Sequence, residues 1–323
     1  MFVQSNLSIG IDIGGTKILG AHVDEQGRVF NRTLRQTPNH DVPAIEQALA
    51  ELINELSAGD TSIPVGVGAA GWMDTEGKTV LFSPHLSWRN EPVRERLASM
   101  VGRGIMLVND ADAAGWAEYR FGAGRGESDM ICLTLGTGIG GAVVLGGRIH
   151  RGRYGIAGEF GHQVIVPGGH RCACGNRGCW EQYASGNALG RDGAELVRSK
   201  SPVAFRLREA VADDPDAVTG AIVTELAAAG DPACQDLISD MGEWLGLGIS
   251  NLASVLDPGT IVIGGGLGSA SQQLIDTAQD AYRRTLSGRG YRPFATVRQA
   301  QLGPDAGLIG AADLARASQA END

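Results

Sequence analysis

The chain has 323 residues, enough for about two domains of ordinary size. Its 37 Asp and Glu against 27 Lys and Arg leave a formal net charge of −10, which excludes the broad basic footprint of a nucleic-acid or anionic-membrane binder. With 43% hydrophobic and 20% charged residues, global disorder is excluded, and no run approaches the ~20 apolar residues of a membrane span.

The opening MFVQSNLSIG has no basic segment followed by an apolar one, so no signal peptide is expected and the expected location is cytoplasmic. Residues 7–14 read as a buried strand ending in glycines. ILGAHV, the turn DEQG and RVFNRTLRQ then make a second and a third strand in tight succession. Residues 42–58 place Ile45, Leu49, Leu52, Ile53 and Leu56 at helical spacing. IPVGVGAAGWMD is the next strand, and a short helix is expected around 91–101. IMLVND is again a strand, and ADAAGWAEYRFG a helix.

At MICLTLGTGIGGAVVLGGRIHRG the pattern restarts as strand, glycine turn, strand, turn. DIGGTK and LGTGIGG close equivalent strands, a weak internal duplication at half-length period. Residues 187–248 read as mostly helical, interrupted by DDPDAVTG. TIVIGGGLG is a late buried strand, AGLIGAADLARA a helix and SQAEND a frayed tail. The expectation is an α/β protein of two lobes, each with a hairpin-bearing mixed sheet.

Glycine supplies 48 residues, about twice the usual ~7% share. Three glycine segments sit at the ends of apolar strands: Gly14-Gly15-Thr16-Lys17, Gly136-Thr137-Gly138 and Gly264-Gly265-Gly266. Glycine lets backbone N–H groups crowd around phosphate oxygens, and a threonine hydroxyl or lysine ammonium adds donors. Any one segment is as well read as a tight turn. Together they point to a cleft between lobes that holds a triphosphate, with Asp12 placed to hold Mg²⁺ through waters. Gly136-x-Gly138-x-x-Gly141 matches the dinucleotide fingerprint by letter, but β-branched AVVLGGRI follows where a helix is required.

Cys172, Cys174 and Cys179 fall within eight residues of a chain with five cysteines, a pattern of metal binding rather than of disulfides. Zinc takes four N or S ligands, and the fourth candidate is His162 or His170. Reduced structural cysteines beside an ordinary loop histidine are the plainer alternative. Three thiolates and a histidine would fill the shell, making the zinc structural. The histidine's second nitrogen would then point in a fixed direction, ready to hydrogen-bond a substrate.

DIGGTK at 12–17, NDAD at 109–112, LGTGIGG at 135–141, EFGH at 159–162 and CACGNRGCWE at 172–181 together resemble the ROK family of repressors, open reading frames and sugar kinases. The resemblance covers nearly the whole chain, in order. It implies a two-lobed actin-like ATPase fold, a duplicated ribonuclease H-like unit with an interlobe cleft. A smaller lobe would span 1–115 with 304–323, and a larger one 116–303. It further implies Asp110 as the catalytic base, and Gly71, Asn109, Asp110, Glu159, His162 and Glu181 as substrate-binding residues. His162, Cys172, Cys174 and Cys179 would be the zinc ligands. Asp12, Gly14 to Lys17, Gly136 to Gly138 and Gly264 to Gly266 would hold ATP and Mg²⁺. Within the family, the length, SWRNEP and WEQYASG most resemble the members that phosphorylate D-glucose, which implies transfer to its 6-hydroxyl. A homodimer or homotetramer is the implied assembly.

Elementary chemistry agrees with those roles. A sugar hydroxyl is a poor nucleophile, and a carboxylate that accepts its proton in line with the γ-phosphate helps. Asp110, at the end of IMLVND, is placed for this, although an aspartate there also makes a good helix cap. Other sugars of the family (N-acetylmannosamine, fructose, mannose or allose) share the same phosphate and zinc motifs, and polyphosphate is an alternative donor. A repressor of the family would carry a winged helix ahead of the first strand, where this sequence leaves no room. A non-catalytic sugar sensor would be expected to lose Asp110 or Lys17.

Overall fold

The computed structural model describes residues 7–38, 41–83 and 86–320. Residues 1–6 of the opening and 321–323 of the expected frayed tail lie outside the described residues. The chain divides into two compact units: Met1–Ser128 with Ala142–Gly158 and Pro304–Asp323, and Asp129–Gly141 with Glu159–Gly303.

In the first unit, β1 (Ser8–Ile13), β2 (Lys17–Val23) and β3 (Val29–Gln36) form an antiparallel run. α1 (Val42–Ser57) starts where Asp41 accepts the Ala44 amide, and it buries Ile45, Leu49, Leu52, Ile53 and Leu56. β4 (Val65–Ala69) then pairs parallel with β1. A small antiparallel sheet of β5 (Trp72–Met73), β6 (Val80–Phe82) and β7 (Arg89–Glu91) precedes α2 (Val93–Val101). β8 (Met106–Asn109) pairs parallel with β4 and leads directly into α3 (Asp110–Phe121). The sheet order is β3-β2-β1-β4-β8. Ile9, Ile11, Val67 and Leu107 from the sheet, Leu49 and Ile53 from α1, and Trp88 form its core.

The second sheet opens with β9 (Met130–Leu135), β10 (Ile139–Leu145) and β11 (Arg148–Ile149). A helical stretch follows: α4 (Gly186–Arg198), α5 (Phe205–Ala210), α6 (Gly220–Ala228) and the long α7 (Pro232–Leu256). β12 (Thr260–Gly264) returns parallel to β9, and α8 (Gly265–Ala270), α9 (Gln272–Thr285) and β13 (Thr296–Gln299) follow it. The sheet order, β11-β10-β9-β12-β13, repeats that of the first sheet, with a hairpin on one side of the leading strand and parallel strands on the other. The duplication hinted at by DIGGTK and LGTGIGG is therefore one of topology. This is the mixed α/β architecture of the actin-like ATPase fold. Ile131, Leu133, Ile261 and Ile263 pack against Leu245 and Ile249 of α7 and Tyr282 of α9.

α10 (Ala306–Ala320) belongs to the first unit and lies on β1 and β4 at backbone distance. A Cβ at Gly10 would stand 2.0 Å from the Leu308 carbonyl oxygen, so only glycine lets the helix seat there. Trp116 Nε1 (2.8 Å) and Arg120 Nε (3.1 Å) donate to the buried Asp313 carboxylate and tie α3 to α10. Residues 318–320, expected to fray, continue this helix.

Candidate functional site

β1, β4 and β8 are parallel, so their carboxyl ends share one edge, with Ile13 beside Ala69 and Ala69 beside Asn109. Asp12, Gly71, Asn109 and Asp110 gather at this edge of the first unit. Asp110 does not end the strand; it is the first residue of α3. The cap is Asn109, whose Oδ1 accepts the Asp112 amide at 3.0 Å while its Nδ2 donates to the Gly71 carbonyl at 3.0 Å. Burial, then the neighbouring Asp110 carboxylate, pushes Asp12 up to about 7, with the Lys17 ammonium opposing them. The carboxylates of Asp12 and Asp110 offer the hard oxygen donors that suit Mg²⁺.

The Gly14–Lys17 loop closes by Gly14 N donating to the Lys17 carbonyl at 3.0 Å, leaving Gly15, Thr16 and Lys17 exposed. Sequence reading missed what holds it. Thr37, buried after β3, donates its hydroxyl to the Gly14 carbonyl at 2.7 Å and its amide to the Thr16 carbonyl at 3.0 Å. A threonine 20 residues downstream leaves no local signal. Gly307 was also missed: a Cβ there would lie 3.0 Å from the Asp12 carboxylate carbon, so the first turn of α10 abuts this acid.

In the second unit, Gly136 N donates to the Gly138 carbonyl at 3.0 Å, and the following residues form β10, so the loop is a hairpin turn as expected. The carbonyls of Gly136 and Thr137 accept the amides of Gly186 (2.8 Å) and Asn187 (3.3 Å) at the start of α4. Gly265, at φ +81°, sits where a Cβ would meet the Leu135 carbonyl oxygen at 2.4 Å. Only glycine fits, and Gly264–Gly266 is thereby brought beside the end of β9. A Cβ at Gly138 would lie 2.6 Å from Glu181 Oε2, so the glycine turn also touches the cysteine segment.

That segment, with Glu159, His162 and Glu181, folds into short turns rather than regular elements. One ligand atom from each of His162, Cys172, Cys174 and Cys179 lies within 4.8 Å of the others. His162, not His170, completes the set; His170 packs against Tyr183 in a tilted ring pair with centroids 5.2 Å apart. Cys174 Sγ and Cys179 Sγ are 3.6 Å apart, and Cys172 Sγ stands 3.5 Å from His162 Nδ1. A zinc tetrahedron has S···S edges of about 3.8 Å and S···N edges of about 3.6 Å, so the donors fit. The cysteines are unbridged. Burial pushes the Cys172 and Cys179 thiols up. Cys174 lies below its ordinary value because the Asn176 amide and the two neighbouring thiols outweigh its burial. Glu181 Oε1 is 3.1 Å from Cys172 Sγ and 3.6 Å from His162 Nδ1, and His162 Nε2 stands 4.0 Å from Glu159 Oε2. The expected site residues thus form two sets, one in each unit.

Residues 8–318 match the ROK family. The chain is 42% identical to a glucokinase of Streptomyces coelicolor over 311 residues, 96% of this chain and 98% of that protein. An N-acetylmannosamine kinase of Yersinia pseudotuberculosis is 33% identical, over 96% of this chain and 98% of its own length. Among solved structures, a ROK family glucokinase from Streptomyces griseus in complex with glucose and AMPPNP superposes with a TM-score of 0.86. It is 43% identical, over 96% of this chain and 99% of that one.

Proposed function

The chain belongs to the ROK family, and from that premise we infer that it is a glucokinase, transferring the γ-phosphate of ATP to the 6-hydroxyl of D-glucose. The likeness to glucokinases over almost the whole length carries this reading, together with Asp110 standing beside Asp12 at the strand ends.

Asp110 accepts the proton of the 6-hydroxyl as the oxygen attacks phosphorus. Its position in the first turn of α3 is fixed by the Asn109 cap. Asn109 and Gly71 bind sugar on the same edge. Glu159, His162 and Glu181 supply the mixed donors and acceptors that vicinal hydroxyls require, each carboxylate able to accept two such bonds. The Gly14–Lys17 and Gly136–Gly138 turns, each closed by its first amide, offer their remaining backbone amides to phosphate oxygens, with Thr16, Thr137 and Lys17 adding side-chain donors. Gly264 to Gly266 take the adenosine side. Asp12 would hold Mg²⁺, which would supply positive charge against the phosphates.

His162, Cys172, Cys174 and Cys179 would hold a structural zinc, their four N and S donors being the number such a site takes. What this chain gains is orientation: His162 is held at Nδ1 with Nε2 directed toward Glu159, and Glu181 is fixed between the cysteines and Gly138. Assembly as a homo-oligomer and a cytoplasmic location belong to the same proposal. No helix among the described residues is long and apolar enough to cross a membrane.

ADP formation from Mg-ATP with equal concentrations of glucose, mannose, fructose and N-acetylmannosamine tests the reading. Selective turnover of glucose is expected. Preference for another sugar would overturn the substrate while leaving the phosphate-binding roles in place.

A further inference from the structure

The opposite edge of the first sheet carries a feature that phosphoryl transfer does not use. A cavity of about 390 Å³ opens where β4 and β8 begin, and α2 and the end of α10 contribute to its wall. Strand β4 runs from this cavity to Ala69, beside Asn109, a separation of about 13 Å along the strand. The cavity is therefore remote from Asp12 and Asp110.

Its lining is basic in an acidic protein. Arg94, Arg103 and Arg151 face one lining carboxylate, Glu76, which already pairs with Lys78. Arg103 donates Nη1 to the Asp60 carbonyl at 3.0 Å and to Ser57 Oγ at 3.2 Å, yet its Nε is buried without a hydrogen-bond partner. An oxyanion is the acceptor best matched to a guanidinium group at the cavity wall. Burial holds Arg103 below the usual guanidinium range, with the Asp60 carboxylate opposing the shift. Ser62 adds a hydroxyl to the lining. The volume lies at the lower end of the ~300–1,000 Å³ range of ligand pockets, the size of a small metabolite.

We propose that this cavity binds a small phosphate-bearing anion, a phosphate monoester or free phosphate, held by the guanidinium groups of Arg94, Arg103 and Arg151. Arg151 gives the site a route to the strand ends. Its Nε pairs with Asp112 Oδ2 at 3.3 Å, and the Asp112 amide is the donor that Asn109 accepts at the start of α3. An anion that draws Arg151 from Asp112 acts on the helix that carries Asp110.

Calorimetric titration of the full chain with inorganic phosphate, and separately with glucose 6-phosphate, tests the site against the phosphate loops. A Cβ at Gly104 meets nothing within 4 Å and the residue is not in a left-handed conformation, so Gly104→Glu adds a carboxylate to the lining without disturbing Arg103. Binding to the wild type is expected to weaken about tenfold or more in Gly104→Glu and in Arg103→Gln, and to persist in Lys17→Ala. Sensitivity to Gly104→Glu for glucose 6-phosphate alone identifies a monoester site; sensitivity for inorganic phosphate as well identifies a site for free phosphate. The proposal is overturned if neither probe binds the wild type, if Gly104→Glu binds both as the wild type does, or if Lys17→Ala alone abolishes binding.

Discussion

Asn109 accepts the Asp112 amide on Oδ1 at 3.0 Å, and by this bond it, rather than Asp110, caps α3. The same side chain donates to the Gly71 carbonyl at 3.0 Å, so one residue fixes both the helix that begins with Asp110 and the loop after β4. The cap does not depend on the Asp110 side chain. Asp110→Ala is expected to unfold in denaturant close to the wild type while kcat falls by about 10²- to 10⁴-fold. Asn109→Ala loses the cap and is expected to cost about 1–2 kcal/mol of stability in the same titration. An Asp110→Ala variant that is strongly destabilised but turns over normally would reverse the two roles.

Asp12 has a value of about 7 in the folded chain against an ordinary 3.8, and the cause is burial first and Asp110 second. The folded state therefore binds more protons than the unfolded chain between those two values, and stability falls as pH rises through that window. Asp12→Asn removes the penalty, which amounts to roughly 4 kcal/mol at most. In the absence of Mg²⁺ and nucleotide, the melting temperature of Asp12→Asn relative to wild type should rise from pH 5 to pH 8. A flat difference across that range would mean that Asp12 is not held protonated.

The cysteine cluster carries a separable prediction. Cys174→Ser should reduce bound zinc from about one per chain to near none, measured by mass spectrometry of the metal, and should raise the KM for sugar with it. Retention of zinc with unchanged sugar binding would count against the ligand set.

Helix α7 reaches the same segment through packing. A Cβ at Gly248 would stand 2.0 Å from Trp180 Cε2, and Trp180 is fully buried between Cys179 and Glu181 in sequence, with its Nε1 bound to the Trp244 carbonyl at 2.9 Å. Gly248→Ala is expected to cost about 1–3 kcal/mol. It should also weaken sugar binding while zinc is retained, because the displaced indole moves Glu181. Wild-type stability in a denaturant titration would show that the indole shifts freely.

The clustering of Cys172, Cys174 and Cys179 was legible because they are close in sequence and metal chemistry restricts what such spacing can mean. α1 was legible because its buried leucines and isoleucines keep helical period between clear caps. β5, β6 and β7, of two or three residues each, are too short to show any alternation, and β13 is four residues of mixed polarity at a sheet edge. α9 had a readable pattern in Leu274, Ile275, Ala278, Ala281 and Tyr282, which the glycine-rich strand before it obscured. Contacts such as Thr37 on Gly14, or Gly248 under Trp180, join residues far apart in the chain and exist only once the sheet and helices have formed.

The most direct test is ³¹P NMR of the product made from Mg-ATP and glucose by the wild type and by Asp110→Ala in parallel. The account predicts glucose 6-phosphate from the wild type and, at equal enzyme and time within the initial-rate range, about 10²- to 10⁴-fold less from the variant. Phosphorylation at another hydroxyl, or equal product from the variant, would contradict it.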